Sequence, residues 1–78
     1  MNNFRLIIRK DSNEEATWEL WDNGVSIKPQ HGKFTEDGSK KCTVERAVNA
    51  AKLTAKRLNG VITKATYKEQ GHSQELKI

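Results

Sequence analysis

Thr43 to Gly60 reads TVERAVNAAKLTAKRLNG, and this stretch decides the fold. Val44, Ala47, Val48, Ala51, Ala55 and Leu58 recur at helical spacing and form one apolar stripe. Thr43 stands where an N-cap belongs, and Glu45 puts a carboxylate in the first turn, where the helix dipole favours it. Arg46 takes the position at which a capping box needs Glu or Gln, so that reciprocal bond is absent. Asn59-Gly60 is the expected C-terminal stop. The pattern predicts one helix from Val44 to Leu58. Its stripe is mostly alanine, which lets the helix lie close against a sheet.

Strand patterns flank this helix. Downstream, Val61 to Tyr67 (VITKATY) is β-rich, Gln70-Gly71 signals a turn, and Gln74 to Ile78 (QELKI) returns as a short last strand. Thr35 to Lys41 (TEDGSKK) reads as a loop. Phe4 to Arg9 (FRLIIR) alternates with period 2, with Phe4, Leu6 and Ile8 on one face and Arg5, Ile7 and Arg9 on the other. Lys10 to Glu15 is a polar hairpin loop. In Ala16 to Trp21, Trp18 and Leu20 share the inner face, and Thr17, Glu19 and Trp21 the outer. Asp22-Asn23-Gly24 tolerates positive φ and signals a tight hairpin. Val25 to Lys28 pairs back with Val25 and Ile27 inward, Pro29 marks its end, and Phe34 rejoins the core. The fold class that follows is α+β: an antiparallel sheet of four to five strands in the order β-β-β-α-β, the fifth strand after these being optional, and one helix packed on one face.

The chain of 78 residues forms a single domain, residues 1–78, with marginal room for a core. Its net charge is +4, unevenly spread. Residues 1–39 hold five Lys/Arg against seven Asp/Glu, and residues 40–78 hold nine against three. A basic half favours a polyanionic partner or an acidic protein patch, and serves equally as a solvated, solubilising surface. The single cysteine, Cys42, excludes an internal disulfide. No apolar run is long enough to span a membrane, and the opening MNNFRLIIRKDSNEE does not read as a signal peptide. A cytoplasmic setting is the expectation.

Two faces remain for binding. The outer side of the helix gathers Arg46, Asn49, Leu53, Lys56 and Arg57, an apolar centre ringed by cations. The sheet face away from the helix gathers Arg5, Ile7, Arg9, Trp21 and Lys28, beside Glu19 and Ser26. An aromatic among cations on an open sheet suits single-stranded nucleic acid, the ring stacking a base while cations hold phosphates. The plainer alternatives are a lone surface leucine and a small satellite cluster of Trp21 with Ile7.

Catalytic and metal chemistry is not legible. His31, His72 and Cys42 do not fall at zinc-ligand spacing. Cys42 precedes the helix, whose N-terminus with Lys40 and Lys41 could lower its pKa, which supports mild reactivity at most; the plainer reading is a small, half-buried residue packing at the helix start. No phosphate-binding glycine motif or Ser/His/Asp set is present, and Asp11, Glu14 and Glu15 read as a solvated loop tip. No cofactor is expected.

The stretch from Trp18-Glu19-Leu20, through Gly24 and the alanine-rich helix TVERAVNAAKLTAKRLNG, to VITKATY, Gly71 and QELKI resembles the DUF2188-like domains, small bacterial and phage proteins of unknown function. The layout also looks like that of phage-encoded inhibitors such as anti-CRISPR proteins, which are non-catalytic and occupy a surface of a larger complex. The resemblance implies a non-catalytic module docking on a larger protein or protein–nucleic-acid complex, as a phage or mobile-element accessory or inhibitor protein. The alternative is direct nucleic-acid binding through the basic helix and sheet face. A homodimer is a third option.

Overall fold

The structure is a computed structural model that describes residues 1–77. Five strands and one helix follow in the order β1 (Asn2–Lys10), β2 (Ala16–Asp22), β3 (Val25–Ser26), α1 (Val44–Arg57), β4 (Gly60–Glu69) and β5 (His72–Leu76). They form one sheet ordered β3-β2-β1-β4-β5. The fold class expected from the sequence is present, including the fifth strand. Ile78, placed by the sequence in that last strand, lies outside the described residues.

The sheet is mostly antiparallel, with one exception: β1 and β4 run parallel. The chain passes from α1 to β4 through Leu58 and Asn59 alone, so β4 returns beneath the helix and falls in beside β1. β1 is suited to the centre because Leu6, Ile7 and Ile8 form an unbroken apolar run, and all three are buried. Asn59 takes the left-handed backbone (φ 58) that ends the helix. Gly60 serves a different need. A Cβ there would overlap the Phe4 ring and lie 2.7 Å from the Asn2 carbonyl, so only glycine admits this close approach of β1 and β4.

The helix forms as its sequence dictates. Thr43 has extended backbone and its hydroxyl accepts from the Arg46 N–H at 3.1 Å. Ala47, Ala51 and Ala55 face the sheet, and Ala50 and Thr54 are buried too, widening the stripe beyond the expected one. Beneath them lie Phe4, Leu6, Ile8, Trp18, Leu20 and Ala65. Thr54 is the buried polar side chain among them, and its hydroxyl accepts the Thr35 N–H at 3.1 Å, fastening the loop to the helix.

That loop also closes the outer edge of β2. Ala16 and Cys42 exchange backbone bonds of 2.7 and 2.9 Å, and the Trp18 N–H bonds to the Gly38 carbonyl at 2.9 Å. Phe34 rejoins the core by stacking on Trp18, with centroids 5.7 Å apart. Val25 departs from expectation. Its position on the strand is inward, yet it is 67% exposed, because β3 ends at Ser26 on the sheet's edge with nothing packed over it. No helix in the structure is long and apolar enough to cross a membrane.

Candidate functional site

The face of the sheet away from α1 carries three cross-strand rows, set by register. Trp21, Arg5 and Lys64 are adjacent in the first. Glu19, Ile7, Thr66 and Glu75 make the second, and Thr17, Arg9, Lys68 and Ser73 the third. Two-residue steps along a strand separate the rows by about 6.6 Å.

A β-bulge is what builds this face. Phe4 pairs with Ile62, yet Arg5 pairs with Lys64, so Thr63 is the extra residue on β4. Strict alternation would put Ile62 on the same face as Lys64, Thr66 and Lys68. The bulge resolves the conflict: Ile62 packs against the core, Ala65 is buried, and both lysines turn to the open face beside the arginines.

Arg5, Arg9, Trp21, Lys64 and Lys68 line one depression of about 480 Å³, together with Ile7. Arg9 is held by Glu19 at 3.2 Å. Arg5, Lys64 and Lys68 make no salt bridge among the described residues. The indole Nε1 of Trp21 is enclosed without a hydrogen-bond acceptor, so the side-chain surface it offers to solvent is ring carbon. Ile7 differs from expectation as a contact residue. It is only 9% exposed, since β2 and β4 flank it and Arg5, Arg9 and Trp21 surround it, so it forms the floor of the face. Lys28 lies just off this face. It lines a neighbouring depression with Arg9, Glu19 and Ser26.

The outer side of the helix is divided. Arg46, Asn49 and Leu53 line a depression of about 390 Å³, but Glu36 and Glu45 share it. Glu36 accepts from the Arg46 Nε at 2.7 Å, and this pairing raises the guanidinium's pKa further. Lys56 belongs to another hollow, of about 460 Å³, with Lys52, Met1 and Val61. Arg57 lies in the last helical turn and lines neither. Leu53 is 55% exposed, as expected. The ring of cations foreseen around it is thus broken by carboxylates.

Cys42 is the half-buried residue packed against the core that the plainer reading expected, and the lowered pKa is corrected. Burial first, then the Glu36 carboxylate, push its thiol pKa up, and Lys41 is turned away to Asp11 at 2.7 Å. The acidic loop tip is tied down as well: Asp11 accepts from the Asn13 and Glu15 N–H groups at 2.9 and 3.1 Å, and Glu14 pairs with Lys10 at 2.6 Å. Lys10 also reaches Glu69 at 2.9 Å, and the two carboxylates raise its pKa. Among the described residues, no three His, Cys, Asp or Glu side chains gather closely enough to hold a metal ion.

Lys64 and Lys68 were not among the residues the sequence singled out. Comparison of the chain with family models, curated proteins and solved structures yields no match. The functional reading therefore rests on the geometry of this face.

Proposed function

We propose that the protein is a non-catalytic binding module whose open sheet face takes single-stranded nucleic acid. The observation that carries the proposal is the cluster of Arg5, Lys64 and Lys68, free of carboxylate partners among the described residues, beside a tryptophan presenting ring carbon. Cations hold phosphates without regard to sequence, and an aromatic ring accepts any base by stacking. The helix face suits phosphates less well, because Glu36 and Glu45 stand among its cations. A reducing, cytoplasmic setting agrees with the lone, half-buried Cys42.

The test is fluorescence anisotropy of a labelled thymidine oligonucleotide, titrated with protein at several salt concentrations. Three to four cations predict a log–log salt slope of about −2 to −3 for a single strand. Absence of binding at low salt, or binding indifferent to salt, overturns the proposal.

A second reading, docking on a larger protein or assembly as a phage accessory or inhibitor protein would, is favoured by Leu53, 55% exposed at the rim of the 390 Å³ depression. It predicts that Leu53→Ala abolishes docking with little change in salt dependence. Light scattering on the purified protein decides whether it acts as a homodimer.

A further inference from the structure

The charges on the open face have a direction. Arg5 and Arg9 lie on β1, and Lys64 and Lys68 on β4, the two strands that run parallel through the middle of the sheet. The carboxylates of the same face lie outside them, Glu19 on β2 and Glu75 on β5, both in the row between the two cationic pairs. A polyanion crossing the sheet along the first row meets Arg5 and Lys64 alone. Crossing along the middle row, it meets Glu19 and Glu75 with no cation between. A path along β1 and β4 meets all four cations, and the two carboxylates repel it from either flank.

Resting on the single-strand reading above, we infer that the bound strand lies lengthwise over β1 and β4, with Trp21 stacking a base at the Arg5–Lys64 end. The track is short. Four residue steps along β1 lead from Arg5 to Arg9, about 13 Å of strand. At about 3.4 Å per stacked nucleotide, roughly four nucleotides span it. The ligand class is therefore a short, sequence-tolerant single-stranded segment, such as a loop or an exposed end. A duplex presents its phosphates on the outside of a wide cylinder and offers Trp21 no free base face.

The test measures the affinity and salt slope of thymidine oligonucleotides of increasing length for the wild type, Lys64→Gln, Lys68→Gln, Glu75→Gln and a helix control, Lys52→Gln with Lys56→Gln. A lengthwise path predicts that Lys64→Gln and Lys68→Gln each weaken binding and flatten the slope by about 0.7. It predicts that Glu75→Gln strengthens binding, that the helix control leaves it unchanged, and that affinity stops climbing beyond roughly five nucleotides. Loss on Lys64→Gln with none on Lys68→Gln would mean a crosswise path and overturns this inference while the single-strand reading stands. Loss confined to the helix control, or a wild type that binds no oligonucleotide, removes the sheet-face reading and this inference with it.

Discussion

Arg5 on β1 stands beside Lys64 on β4, one residue later than the neighbouring Phe4–Ile62 pair would place it. The extra residue is Thr63, whose hydroxyl lies 3.4 Å from the Phe4 carbonyl. Because side chains alternate between faces, one inserted residue inverts every position after it. Here the inversion puts Ala65 into the core and Lys64 and Lys68 on the open face.

Deletion of Thr63 removes the extra residue, so Ile62 and Ala65 fall at the same parity and β4 can pair regularly with β1, with Lys64 and Lys68 still on the open face. The expected result is a variant that keeps a cooperative urea transition followed by circular dichroism and keeps its open-face cations. Loss of the cooperative transition would show that the bulge does more than reconcile the two faces.

Gly38 lies against Trp18 so closely that a Cβ would collide with the Trp18 carbonyl and come within 2.9 Å of the indole ring. The same residue accepts the Trp18 N–H, so the loop has little freedom to retreat. Gly38→Ala is expected to destabilise by about 1–3 kcal/mol, as overpacking does. A urea midpoint equal to that of the wild type contradicts this.

The carboxyl of Asp11 is held at about 2, below its ordinary 3.8, chiefly by the Lys41 ammonium and then by the Glu15 and Asn13 N–H groups. Lys10 holds the Glu69 carboxyl below its ordinary value as well. The folded state thus favours the ionised forms. Their contribution is complete above the ordinary carboxylate range and, for Asp11, is lost as pH falls from 3.8 through about 2. Asp11→Asn should lower the urea midpoint at neutral pH, and the gap to the wild type should narrow as pH falls from 3.8 through about 2. A gap that stays constant across this range rules out the ion pair as its source.

Trp21 sits next to Arg5 in the first row, with its indole nitrogen enclosed. If its ring stacks a base, Trp21→Ala costs about 1–3 kcal/mol of single-strand affinity, and Trp21→Phe retains most of it. Anisotropy titrations at fixed salt provide the comparison. Equal losses for both variants would indicate that Trp21 only supports the sheet.

Much of the architecture was legible because local signals agree with the tertiary ones. The Thr43 cap, the alanine stripe, the Asn23-Gly24 and Gln70-Gly71 turns with their positive φ values, and the alternation in β1 each point to the element observed. Trp21, Arg5 and Arg9 followed from the same alternation. Lys64 and Lys68 did not, since Ile62, Lys64, Thr66 and Lys68 share one parity in VITKATYK, and no residue type marks Thr63 as a bulge. The parallel pairing of β1 with β4 was missed for a related reason. The turn at Asn59-Gly60 shows where the helix stops, whereas the neighbour of β4 is chosen by the long-range burial of β1. The pairing of Arg46 with Glu36 spans the loop-to-helix turn and leaves no periodic trace in the sequence.

The most direct test of the central claim is a map of amide shifts in ¹⁵N-labelled protein as a thymidine oligonucleotide is added. The account predicts perturbations centred on Arg5, Ile7, Lys64, Thr66 and Lys68, with the Trp21 indole N–H among them and Leu53 and Asn49 silent. Perturbations centred instead on Asn49 and Leu53, with the open sheet face unmoved, would contradict it.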